Sequence, residues 1–103
     1  MENKFNLEYS PRFFKEIDSI DNYIRYNLDN RFAADNLTDA IEIAIQKRLE
    51  HPLDFEKYYT KAGNVYYRIY VNNYIIFYTV NDEIMKVRRI IYKKSNYKNK
   101  LYE

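Results

Sequence analysis

The apolar residues of this chain change their spacing once, at His51-Pro52, and that change limits the folds open to it. Before it, Phe13, Ile17, Ile20 and Ile24 recur three and four residues apart. Phe14 and Leu28 widen the stripe, while Lys15, Glu16, Asp18 and Arg25 take the other side. Only an α-helix brings such positions onto one face. Ser10-Pro11 supplies the start, because serine caps helices well and proline suits the first helical position. The pattern predicts a helix from Pro11 to about Tyr26. Asn27 to Asn30 reads as a polar turn, in which Asp29 or Asn30 can cap a second helix. That helix carries Ala33, Leu37, Ala40, Ile41, Ala44, Ile45 and Leu49 on one face. Two amphipathic helices joined by a short turn form an antiparallel pair, and Pro52 ends the second.

Beyond Pro52 the spacing becomes two. Val65, Tyr67, Ile69 and Val71 fall on one face of a strand, with Tyr66, Arg68 and Tyr70 on the other. Asn72-Asn73 is a two-residue hairpin signal, since asparagine tolerates positive φ. The return strand, Tyr74 to Val80, is apolar on both faces and therefore central. Asn81-Asp82-Glu83 turns the chain into a last strand from Ile84 to about Tyr92, followed by a basic, tyrosine-bearing tail. Phe5, Leu7 and Tyr9 alternate with Asn6 and Glu8 as an opening strand. The predicted order is βααβββ. This is an α+β fold of two layers, a mostly antiparallel four-stranded sheet with a helical hairpin on one face. With 103 residues, no repeats and no linker, the chain reads as one domain over 1–103. Tyr67, Tyr74 and Tyr78 are expected to pack within the sheet, with hydroxyls reaching the layer edge.

Composition removes several chemistries. No cysteine is present, which excludes disulfides, a thiol nucleophile and thiolate zinc ligation. Gly63 is the only glycine, so no glycine-rich phosphate loop exists and no nucleotide cofactor is expected. His51 is the only histidine and precedes a helix-ending proline, where it suits the helix dipole better than catalysis. A serine triad lacks a base. The acidic pairs Asp18 and Asp21, or Asp35 and Asp39, lie at helical spacing on helix surfaces, and no metal site is expected. No apolar run approaches the roughly 18 residues of a membrane helix, and Met1 to Lys4 lacks the apolar core of a secretory signal. A cytoplasmic protein without membrane or cofactor partners is the expectation.

Charge is distributed unevenly. Residues 1–56 carry seven Lys/Arg against twelve Asp/Glu, and residues 57–103 carry ten against three. Between Ile84 and Tyr102, Lys86, Arg88, Arg89, Lys93, Lys94, Lys98 and Lys100 meet no acidic residue. Such a block marks a surface facing a polyanion or an acidic partner; the alternative is a solvated edge strand and tail protected by lysines. The sheet face opposite the helices, with Tyr66, Arg68 and Tyr70, mixes cations and rings suited to phosphates and unstacked bases. Arg68, between two tyrosines, is a candidate phosphate clamp. Lys93, Lys94 and Tyr97 combine cations with a phenol that can stabilise a phosphorane and assist proton transfer without metal. Arg68, Lys93, Lys94 and Tyr97 are thus the candidate catalytic group, and Lys86, Arg88, Arg89 and Lys98 the candidate nucleic-acid contacts.

The order βααβββ, the opening Tyr9-Ser10-Pro11 and the run from Tyr67 to Tyr97, YRIYVNNYIIFYTVNDEIMKVRRIIYKKSNY, together resemble the RelE/ParE superfamily of bacterial toxins. The run is similar to the family's arginine-bearing strand, tight turn, Tyr-x-x-x-Tyr strand (Tyr74 to Tyr78), acidic turn at Asp82-Glu83 and final strand leading into basic residues. The resemblance implies the toxin of a type II toxin–antitoxin system, bound in a hetero-oligomer by a cognate antitoxin whose extended acidic segment wraps it. The antitoxin is expected to bury apolar residues along the helices and pair acidic residues with the basic sheet face. In the RelE-like branch the implied activity is ribosome-dependent cleavage of mRNA; in the ParE-like branch it is poisoning of DNA gyrase. RelE-like ribonucleases commonly carry arginine after the tyrosine that starts the third strand, where this chain has Ile75, and no histidine follows the final strand. The ribosome and mRNA are the leading expected partners, because the basic block suits a phosphate surface. Cleavage by the ribose 2′-hydroxyl then needs Arg68, Lys93, Lys94 and Tyr97 to hold the developing charge and move protons. Gyrase, or a member that binds antitoxin without toxicity, is the alternative.

Overall fold

The computed structural model describes residues 4–101. Ser10 does more than start a helix. Its Oγ accepts the Phe13 N–H at 3.2 Å and donates to the Arg88 carbonyl at 2.6 Å, while its own N–H donates to the Val87 carbonyl at 2.9 Å. The cap therefore joins strand β1 (Asn6–Tyr9) and helix α1 (Pro11–Asn22) to the last strand, β5 (Ile84–Tyr92). Helix α1 runs on into a π-helical turn, Tyr23–Asn27, so the helical path extends about as far as the periodicity implies. In that turn Arg25 grips Asp21 at 3.0 and 3.1 Å and reaches Asp35 at 2.7 Å, tying the two arms of the hairpin together. Asn30, not Asp29, is the second cap: its Oδ1 accepts the Ala33 N–H at 3.0 Å at the head of α2 (Arg31–Glu50).

The remaining elements are β2 (Lys57–Tyr59), β3 (Val65–Val71), β4 (Tyr74–Asn81), β5 and a four-residue helix α3 (Tyr97–Lys100). The sheet has five strands in the order β1-β5-β4-β3-β2, with β1 parallel to β5 and the others antiparallel. The α+β class and the helical hairpin stand as expected, while the four-stranded count is corrected to five. The extra strand, β2, is three residues long, too short to display a period. Asn72 (φ 52°) and Asp82 (φ 55°) supply the left-handed backbone that the two tight turns need.

The helices cover one sheet face. Leu37, Ile41, Ile45 and Leu49 of α2 and Phe13 of α1 pack against Tyr67, Ile69, Ile76, Tyr78, Met85 and Val87. A second, smaller cluster lies on the other face: Ile75, Phe77, Ile91 and Leu101, with Tyr58, Tyr66 and Tyr97 against it. The basic tail thus folds back onto the sheet through α3. A β-bulge shapes this face. Phe77 pairs with Arg89 and Tyr78 with Val87, leaving Arg88 as the extra residue on β5. Plain alternation would send Arg88 and Arg89 to opposite sides. With the bulge, Arg88 reaches Thr79 Oγ1 at 3.0 Å and Arg89 lies under α3. Among the described residues no helix is long and apolar enough to cross a membrane.

Candidate functional site

Arg68 stands on β3 opposite Phe77, on the face away from the long helices. Its guanidinium lies 4.8 Å from the Tyr58 ring centre and 6.0 Å from that of Tyr70. Lys93 Nζ lies 5.8 Å from the same Tyr70 ring, and its backbone N–H donates to Asn73 at 2.7 Å, extending the β4–β5 ladder. Tyr97 packs its ring 6.1 Å from Tyr58 and 5.8 Å from Phe77. Arg68, Lys93 and Tyr97 are therefore gathered through two intervening tyrosines, Tyr58 and Tyr70. Lys94 follows as an exposed neighbour of Lys93. Cations over ring faces are held by the ring quadrupole while their N–H groups still face solvent or an anion.

The other candidates are dispersed. Lys86 pairs in register with Thr79, and Arg88 bonds to Thr79, so both stand toward the far end of β5. There Arg88 borders a cleft of about 720 Å³ with Lys57, Tyr66, Thr79 and Asn81, where the ends of β3 and β4 part. Lys98 is exposed on α3. Arg89 is only 7% exposed and is committed internally. Its Nε donates to both Glu16 oxygens at 3.0 and 2.9 Å, its Nη2 approaches Oε2 at 2.8 Å, and its Nη1 donates to the Lys100 carbonyl at 2.6 Å. Glu16 also accepts the Ile90 N–H at 3.1 Å. Arg89 thus ties α1, β5 and α3 together and presents little charge to the surface.

Two residues that sequence reasoning missed support Arg68. Tyr58 belongs to the short strand β2 and gave no periodic signal. Arg48, in the last turn of α2, donates from Nη1 to the Arg68 carbonyl at 2.9 Å and to Tyr78 Oη at 3.0 Å, with its guanidinium 3.4 Å from the Phe55 ring centre. Tyr78 in turn donates to the Pro52 carbonyl at 2.8 Å. Its hydroxyl ends inside the protein at the helix terminus and not at the layer edge. Burial pushes the Tyr78 phenol above its ordinary value, against the opposing pull of Arg48. The signal available was the Lys47-Arg48 pair in a helix end, indistinguishable there from solvated charge. His51 sits 3.6 Å from Asp54 with both side chains largely exposed.

The position where the RelE-like pattern has arginine is filled by Ile75, which is 1% exposed beneath the second cluster. The site therefore offers Arg68 and Lys93 around Tyr70, with Lys94 next in the chain and the Tyr97 phenol reached through Tyr58, suited to holding a phosphate or carboxylate. Residues 7–97 match the family model described as the ParE toxin of type II toxin–antitoxin system, parDE. The fold is similar to a chain of the chromosomal ParDE system from P. aeruginosa, with a TM-score of 0.70 and 10% identity over 88% of this chain and 98% of that one. It is also similar to a chain of the RelB-RelE antitoxin-toxin complex from Methanococcus jannaschii, with a TM-score of 0.51 and 25% identity over 89% and 96%. No curated protein matches by sequence. The family match runs from β1 to the first residue of α3, through every element that builds the sheet and the hairpin, and the chain belongs to the ParE toxins of type II toxin–antitoxin systems, within the RelE/ParE superfamily.

Proposed function

We propose that this toxin acts as the ParE-like branch does, by binding and poisoning DNA gyrase in the cytoplasm, and that a cognate antitoxin neutralises it in a hetero-oligomer. The observation that carries the reading is the state of the outer sheet face. Cleavage of RNA by its own 2′-hydroxyl needs several cations converging on one phosphate and groups to accept and donate protons. Here Ile75 is buried where a second arginine would stand, and Arg89 is neutralised by Glu16. Arg68 and Lys93 rest on tyrosine rings, an arrangement that favours recognition over catalysis. The ParE family match supports the same branch.

Ribosome-dependent mRNA cleavage is the second reading, favoured by the gathering of Arg68, Lys93 and Tyr97 with Lys94 adjacent. One paired experiment separates them. The purified chain is added to a gyrase supercoiling reaction and, separately, to cell-free translation with mapping of mRNA 5′ ends. Blocked supercoiling with intact mRNA is expected. New 5′ ends within translated codons, lost on Arg68→Ala, would replace the gyrase reading with the ribonuclease one.

A further inference from the structure

The pairing of β3 with β4 stops at Tyr67 and Tyr78, while β3 stays joined to β2 and β4 to β5. The two halves of the sheet part there, and the polar cleft of about 720 Å³ opens between them. The bulge on β5 brings a cation to its edge. Arg88 is the extra residue, and its Nε is held by Thr79 Oγ1 at 3.0 Å. That bond leaves the two Nη groups as a paired set of donors, the edge of a guanidinium that grips an oxyanion with two hydrogen bonds. Lys86 stands opposite Thr79 in register, and its neighbours Met85 and Val87 are buried toward the helices, so it shares the outer face with Arg88. Lys57 lines the cleft from β2. Among the described residues neither lysine forms an ion pair and no carboxylate lines the cleft. Asp82 and Glu83, in the turn that follows, border a separate hollow with Lys4 and Phe5.

The spacing and surroundings of these cations state what they fit. Lys57 on β2 and Arg88 on β5 are three strand intervals apart, about 14 Å. That span takes in several charges of a nucleic-acid backbone, which carries one per about 3.4 Å of helix axis on each strand. Asn64, Asn81 and Thr79 add neutral polar groups of the kind that position a backbone without reading its sequence. The one ring beside the cations, Tyr66, is half-buried and packs edge-on against Phe77 at 6.1 Å, so it offers no platform for an unstacked base. We propose that this cleft binds the phosphate backbone of duplex DNA, with the Nη edge of Arg88 and the two lysines on the phosphates. Lys93 lies at the opposite end of β4, beside Asn73, about 20 Å away along the strand, so the cleft is distinct from the gathering around Tyr70. A gyrase target would bring a duplex to the cleft, but the assignment does not depend on it.

The test follows the fluorescence anisotropy of a labelled mixed-sequence DNA duplex as the full chain is added, over a range of salt. Binding is expected, with log K falling against log salt at a slope of about −2.7 for three neutralised phosphates. Arg88→Gln, Lys86→Gln and Lys57→Gln should each weaken it about five- to tenfold and bring the slope about one unit nearer zero. Arg88→Lys keeps the charge without the paired donors, and should restore the slope but not the full affinity. Lys47→Gln removes the same charge from the exposed side of α2 and should change neither. Circular dichroism should be the same for all of these variants. No binding by the full chain at low salt, or a loss in Lys47→Gln equal to that of the cleft variants, overturns the proposal. So does tighter binding of single-stranded DNA than of duplex. Displacement of the duplex by a glutamate-rich peptide at equal charge would give the cleft to an acidic protein segment instead. The assay contains no gyrase, so each of these outcomes leaves the gyrase reading to the supercoiling reaction.

Discussion

Strand β4 buries its alternate residues almost equally, yet under very different covers. Ile76 and Tyr78 lie beneath the 20-residue helix α2, whose N-terminus is capped by Asn30 and whose last turn is anchored by Arg48. Ile75 and Phe77 lie beneath a four-residue helix that begins with Tyr97, and beneath Tyr58 and Tyr66. A helix of one turn has almost no stability of its own, so α3 stays in place only through what it touches. Those contacts include the Tyr97 ring on Phe77 and Tyr58, Leu101 on the sheet and the Lys100 carbonyl on Arg89. Burial alone therefore does not say how firmly a face is held. The side toward α2 is expected to belong to the cooperative core, and the outer face to be able to lose its cover while the fold is kept.

The largest expected effect tests that contrast directly. Ile76→Ala, emptying a wholly buried site under α2, should cost about 4 kcal/mol, whereas Leu101→Ala should cost only about 1 kcal/mol because α3 can peel away. Urea denaturation measures both, and equal losses would make the outer cluster part of the same core. Next is the tie between the two faces. Glu16→Ala removes the acceptor for both Arg89 and the Ile90 N–H and should cost about 3 kcal/mol, as expected when a mostly buried pair loses one partner. A loss under about 1 kcal/mol, the range of exposed ion pairs, would show that α3 is held by its apolar contacts alone.

The smallest effect is in alkaline solution. Tyr9, Tyr74 and Tyr78, all on the side toward the helices, have their phenols raised above 10.0, chiefly by burial. The unfolded chain then releases these protons at lower pH than the folded one. The stability they contribute is fully present below pH 10.0 and falls as pH rises through their folded values. A melting-temperature profile should show this decline, and Tyr78→Phe should make it shallower. An unchanged slope in that variant would remove Tyr78 from the account.

Much of the architecture was legible because period and punctuation act locally. The three-and-four spacing, the Ser10 cap, the proline at 52 and the Asn72 turn depend on neighbouring residues, and each has its counterpart in the structure. Strand β2 was not legible, since three residues carry no period, and with it went Tyr58, one of the rings that holds Arg68. The fate of the basic block was also hidden. Charge density along the chain treats Arg88 and Arg89 alike, but the bulge brings them to one side and Glu16, far away in sequence, neutralises only the second.

The sequence by itself determined the two long helices, the strands long enough to show a period and the turns between them, which face of each is apolar, and the concentration of cations in the last third of the chain. Side-chain shape and backbone preference act over a few residues, and such information is written in order along the chain. Tertiary structure alone decided which cations remain at the surface, because that depends on long-range partners. Arg48 reaches the Arg68 carbonyl, Glu16 reaches Arg89, and α3 closes over Ile75. A charge is set by whatever folding places within a few ångströms of it, and linear spacing does not record that distance.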